Sequence, residues 1–179
     1  MITDDIARYT ARAQPKIVDG LLLDHPLAVT SWLSARVMQG ELVDKFTYGV
    51  GVCPPGTPDR IVNAGEAVPL IAAAAFADYY GGNGWSDITV CAAAEDMEAI
   101  TPRIVTGILA YPFKVLNAKR ITAYVDGRNH PAVNLMQRFG FQCEGAKRGM
   151  RDDGGEVLMF GLLMAEAKYN DVLLFKDAA

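Results

Sequence analysis

Gly81-Gly82-Asn83-Gly84 stands between two apolar runs, and no other feature of the chain restricts its fold as much. On the near side is Leu70-Ile71-Ala72-Ala73-Ala74-Ala75-Phe76, which alanine propensity alone would make a helix. On the far side Asp87-Ile88-Thr89-Val90-Cys91-Ala92 is rich in β-branched residues. A glycine turn this close to both favours two buried strands joined as a hairpin. Small alanines then suit a sheet face against which another element packs closely.

Other segments follow around this hairpin. Thr3-Asp4-Asp5 is a capped helix start, running to about Ala13 before Pro15. Pro26 to Met38 reads as a second helix, with Leu27, Trp32, Leu33 and Val37 about a turn apart, closed by Gly40. Phe46 to Cys53 is a strand, stopped by Pro54-Pro55-Gly56. Pro102 opens a helix carrying Ile104, Ile108, Leu109, Val115 and Leu116, and Pro112 kinks its end. Arg120 to Val125 is a strand, and Pro131 to Phe139 a short helix with Asn129 as cap and Gly140 as stop. Phe141 to Met150 and Glu156 to Ala165 form a hairpin through Asp152-Asp153-Gly154-Gly155. Repeats, linkers and low-complexity stretches are lacking, so 1–179 reads as one domain.

Composition excludes several classes. A net charge of −4 and a pI near 5.1 give no positive field to hold nucleic acid or anionic lipid, so neither is an expected partner. The apolar run from Val68 to Ala77 falls far short of the about 20 residues of a bilayer helix. Cys53, Cys91 and Cys143 are widely spaced, with His25 and His130 in unrelated segments, so no metal site is expected. Free thiols and a start without a signal peptide suggest a reducing, cytoplasmic setting.

The order Tyr111-Pro112-Phe113, Arg120-Ile121-Thr122-Ala123-Tyr124-Val125, Asn129, Ala132, Leu135, Phe139-Gly140-Phe141 and Cys143-Glu144-Gly145-Ala146-Lys147-Arg148 is specific in its spacing. It resembles the C-terminal half of the GNAT N-acetyltransferase superfamily over about residues 85 to 165. The nearest branch is that of ribosomal-protein and aminoglycoside acetyltransferases, with some glycine-poor phage proteins alongside.

The resemblance implies an α/β fold with a mixed sheet of six to seven strands and helices on both faces. The Pro102 helix is expected on one face and the Pro131 helix on the other. It also implies an acetyl-CoA-dependent N-acyltransferase acting on a small-molecule or peptide amine by direct transfer. The pantetheine arm would lie between Asp87–Ala94 and Ile121–Val125, against backbone groups of residues such as Ala92 and Ala94. Its phosphates would lie near Ala99, Thr101 and Arg103 at the helix N-terminus, where dipole and N–H groups favour anions. Asn129 matches a cofactor-contacting position and is equally a plain helix cap.

The chain departs from the family in two places. The pyrophosphate loop, usually Q/R-x-x-G-x-G/A, reads Asp96-Met97-Glu98-Ala99-Ile100-Thr101, glycine-free and acidic, with Glu95 before it. The tyrosine that family members use as general acid is replaced by Met136, leaving Tyr124 as a candidate acid or a packing residue. Asp87 is the candidate general base, or a turn terminator. Glu66, Asp78, Tyr79 and Tyr80 are further candidates for the cleft, and Lys147 and Arg148 read as solvated. Two other readings stay open: a non-catalytic GNAT-fold binding or structural module, and a DNA- or nucleotide-modifying transferase of the phage type. A virion or host-cytoplasm setting, and a homo-oligomer or larger assembly, belong to those readings.

Overall fold

The computed structural model describes residues 14–37, 46–63, 65–82, 85–98 and 100–167, the side chains at 46, 47, 78–82 and 85 excepted. The strands are β1 (Lys16–Val18), β2 (Leu21–Leu23), β3 (Phe46–Val52), β4 (Arg60–Ile61), β5 (Ala72–Gly82), β6 (Trp85–Ala94), β7 (Arg120–Asp126), β8 (Gln142–Lys147) and β9 (Val157–Leu163). The helices are α1 (Pro26–Ser34), α2 (Pro102–Ala110) and α3 (His130–Phe139). The strands form one sheet in the order β4-β1-β2-β3-β5-β6-β7-β9-β8, mixed because β6 and β7 alone run parallel. The α/β class with helices on both faces agrees with the sequence reading, but there are nine strands and not six or seven. The extra ones are the short β1, β2 and β4. β1 and β2 turn through Asp19 and Gly20, both at positive φ, in a tight two-residue hairpin. Three-residue strands are too short to show a period in sequence. The proposed helix from Thr3 and the Gly40 stop lie outside the described residues.

The alanine run is a strand: Ala72 to Ala77 lie in β5, paired with β3 on one side and β6 on the other. What makes small side chains necessary there is α1. Its Val29 and Leu33 pack on Ala73 and Ala75, and a Cβ at Gly49 of β3 would come 2.5 Å from a Val29 methyl. Small residues on both strands let the helix lie close to the sheet.

The opposite face holds the main core. Val50, Phe76, Ile88, Ile121, Phe160 and Leu162 pack with Val105 and Leu109 of α2. Val133, Met136 and Phe139 of α3 pack against the same cluster. This corrects the expectation that the Pro131 helix lies across the sheet from α2: the helix on the other face is α1. The cause is the alternation of β7, where Ile121, Ala123 and Val125 face the core while Arg120, Thr122 and Tyr124 share the opposite face. That polar face offers α3 nothing apolar to bury.

Local chemistry ends the elements as the sequence suggests. Asn129 caps α3 through Ala132 N–H, and Gly140 closes it at φ 96°. Pro112, with no N–H to continue α2, sits in one turn of π-helix, Tyr111–Val115. Arg128 bridges Asp126 at the end of β7 to Asp153 in the β8–β9 turn. Its hydrogen bond, with the Gly155 N–H, brings the Asp153 carboxyl down to about 2. Among the described residues no helix is long and apolar enough to cross a membrane.

Candidate active site

A parallel pair that stops partway makes an opening in a sheet. β6 and β7 are in register from Asp87 opposite Arg120 to Val90 opposite Ala123, and their pairing ends there. β6 continues through Cys91–Ala94 on β5 alone, while β7 continues to Asp126 on β9. The opening therefore lies between Cys91–Ala94 and the segment from Tyr124 onward, the upper part of the region expected from the sequence.

Alternation decides which backbone groups face it. Ser86 carbonyl accepts from Lys119 N–H, and Glu95 N–H donates to Ile71 carbonyl. Even-numbered residues of β6 thus turn their polar groups towards β7 and odd-numbered ones towards β5. Ala92 and Ala94 consequently present N–H and C=O along the edge of the opening.

The loop after β6 is more self-contained. Thr101 caps α2, its hydroxyl accepting from Ile104 N–H at 3.4 Å and its carbonyl from Val105 N–H at 3.0 Å. The Asp96 carboxylate accepts from Glu98 N–H at 2.9 Å. Arg103, expected beside the phosphates, is instead ion-paired with Asp19 in the β1–β2 turn. Ala99 lies outside the described residues. The basic group that does reach the loop is Arg36, just past α1, whose Nε donates to Glu95 at 2.9 Å. It is 59 residues away in sequence, and no local pattern could have pointed to it.

Below the opening lies a charged cluster on the α1 face of the sheet, beyond the residues that α1 covers. Thr122 Oγ1 donates to the Asp87 carboxylate at 2.7 and 3.0 Å, and Arg120 Nε stands 3.7 Å from it. The same guanidinium makes a two-pronged pair with Glu144 of β8. The pair crosses β9 over Gly161, where a Cβ would stand 2.6 Å from the Arg120 nitrogens. Hydrogen bonding between the two raises the arginine's pKa and lowers the glutamate's. Asp87 is thus a fixed carboxylate, about 10 Å along the strand from the last paired residue, Val90.

Tyr124 is the first residue of β7 beyond the pairing and is exposed at the mouth of the opening. Lys147 Nζ donates to its hydroxyl at 3.3 Å and lies 4.3 Å over its ring. Lys147 therefore has a partner that its reading as a plain solvated residue missed. Asn129 acts as a cap, its side chain occupied by Ala132 N–H. Glu66 does not reach the opening: Arg60 and Asn63 N–H hold it beside β4, the strand at the opposite edge of the sheet. The side chains of Asp78, Tyr79 and Tyr80 lie outside the described residues. Burial raises the thiols of Cys53 and Cys91, the latter to about 11, which keeps both protonated near neutral pH.

No protein-family model matches the chain, and no curated protein matches its sequence. Solved structures do. A mutant form of a spermidine N-acetyltransferase from Vibrio cholerae superposes with a TM-score of 0.52 at 17% identity, over 69% of this chain and 67% of that chain. A GNAT-family acetyltransferase from Bacillus anthracis gives a TM-score of 0.52 at 17% identity, over 83% of this chain and 98% of that chain. With its parallel β6–β7 pair open at one end and α2 following β6, the chain has the fold of the GNAT acetyltransferases.

Proposed function

We propose that the chain, acting as one domain, is an acetyl-CoA-dependent N-acetyltransferase whose acceptor is the amine of a small molecule or peptide. The observation that carries this reading is the opening between β6 and β7, edged by the backbone of Ala92 and Ala94. Those groups suit the amides of a pantetheine arm, which would continue the ladder as an added strand. Acetyl-CoA supplies the activated thioester, and the remaining requirements fall on the chain. Asp87, directly or through water, removes a proton from the ammonium, and the freed amine nitrogen attacks the thioester carbonyl. The C–S bond breaks, and Tyr124, at the mouth of the opening, donates a proton to the departing thiolate. The phosphates would lie at the N-terminus of α2 near Ala99 and Thr101, with Arg103 reaching them only by leaving Asp19, and Asn129 would border the cofactor from α3. Holding amine and thioester together supplies much of the rate. The three free thiols favour a reducing, cytoplasmic setting.

Transfer of this kind leaves no acyl-enzyme. Incubation with acetyl-CoA and a panel of amines should give thiol release that depends on the amine, with no acetyl adduct on the protein by mass spectrometry. Acetyl trapped on Cys53, Cys91 or Cys143 during turnover overturns direct transfer.

A second reading, a non-catalytic module of the same fold, is favoured by the loop. Asp96 and Glu98 are exposed there, Arg103 is turned away, and Thr101 occupies an N–H of the α2 terminus. Like charges about 5 Å apart repel by roughly 1 kcal/mol at an effective dielectric between water and protein surface. Changing Asp96→Asn together with Glu98→Gln should therefore tighten acetyl-CoA binding about threefold or more. Unchanged or weaker affinity places the phosphates elsewhere.

A further inference from the structure

The loop after β6 contains no basic residue before Arg103, and Arg103 is committed to Asp19. A cation is nevertheless built into this end of the strand. The Arg36 guanidinium lies 3.9 Å over the Trp32 ring and donates to Trp32 carbonyl at 3.1 Å. Trp32 is itself fixed, its Nε1 donating to Leu70 carbonyl at 3.1 Å. The helix that carries it packs on Ala73, Ala75, Cys91 and Ala93, next to the residues that edge the opening. Two contacts with Trp32, its ring and its carbonyl, thus hold Arg36 independently of Glu95.

Among the described residues, Glu95 is held through its carboxylate by Arg36, in a hydrogen bond and ion pair, and by no second group. Its side chain is 52% exposed against 33% for Arg36, and it is the first residue past β6. A guanidinium stacked on an aromatic ring and presenting N–H donors to one oxyanion is suited to a phosphate in place of that oxyanion.

We infer that Arg36 is the phosphate-binding cation of the cofactor site and that Glu95 is its internal competitor, displaced when the phosphates of a CoA thioester arrive. The inference rests on the acetyl-CoA reading above. It explains how an acidic loop without glycine can still receive a pyrophosphate, and it makes phosphate affinity depend on a carboxylate that must first let go.

The test uses the full chain and two ligands: acetyl-CoA, and acetylpantetheine, which has no phosphate. Calorimetry on the unmodified protein, Glu95→Gln and Arg36→Gln separates the outcomes. Glu95→Gln should bind acetyl-CoA about three- to tenfold tighter and Arg36→Gln at least about tenfold weaker. Acetylpantetheine affinity should be the same in all three. Unchanged or weaker acetyl-CoA binding in Glu95→Gln, or unchanged binding in Arg36→Gln, overturns the inference alone, provided the unmodified protein binds. Binding of neither ligand by any of the three removes the cofactor reading and the inference with it. If Arg36→Gln does not fold, the Glu95→Gln arm decides.

Discussion

Asp87→Asn should lower turnover by about 10²-fold or more at neutral pH, and raising the pH should restore part of the loss. The sign follows from the proton: asparagine cannot accept it, but at higher pH more of the acceptor amine arrives already unprotonated. The fold should tolerate the change. An amide oxygen still accepts from Thr122, and Arg120 keeps its two-pronged pair with Glu144. The pair lost with Asp87 is a partly exposed one at 3.7 Å, worth no more than about 1 kcal/mol. A thermal midpoint measured beside the pH–rate profile separates chemistry from structure. Full activity removes Asp87 from the mechanism. A loss that does not recover with pH makes Asp87 an anchor for Arg120 and not a base.

Phe76→Ala should destabilise the protein by about 3–5 kcal/mol. Phe76 is fully buried in β5 and lies beside the stacked rings of Tyr48 and Tyr111, 6.5 and 6.0 Å away between centroids. It therefore joins β3, β5 and the π-turn after α2. Removing the ring leaves a cavity between elements that all pair or pack elsewhere, so the site has little freedom to collapse. For a chain of this size the midpoint should fall by roughly 6–20 °C. A change under about 1 kcal/mol in chemical denaturation would contradict the packing described for this core.

Much of the fold was legible because punctuation and period agreed. The glycine turn outweighed alanine propensity at residues 72–77, and the packing shows why: α1 needs small side chains on β5 and a glycine at 49. Asn129 and Gly140 cap and close α3 as their types suggest. What was hidden is long-range. Arg120-Ile121-Thr122-Ala123-Tyr124-Val125 alternates as a half-buried strand should. The side of the sheet taken by α3 shows only once the apolar face of β7 is matched with the face that α2 covers. The Asp87–Arg120–Glu144 cluster needs three strands in register and Gly161 beneath it, and Arg36 reaches Glu95 across 59 residues. Arg103 had an attractive place beside the loop, but Asp19 of a hairpin unseen in sequence claims it. The opening itself was readable as a region, and its edge became definite only once the last paired residues, Val90 and Ala123, were known.

Calorimetric titration of the unmodified protein with acetyl-CoA, repeated with Ala92→Pro, asks whether the opening between β6 and β7 receives the pantetheine arm. Proline at 92 removes an N–H that faces the opening while the β5 ladder bonds lie on the odd-numbered neighbours. Saturable binding to the unmodified chain is expected, with affinity at least about tenfold weaker in the variant, as loss of one hydrogen bond to the arm implies. An absence of binding at millimolar acetyl-CoA, or equal affinity in both proteins, would contradict that reading of the opening.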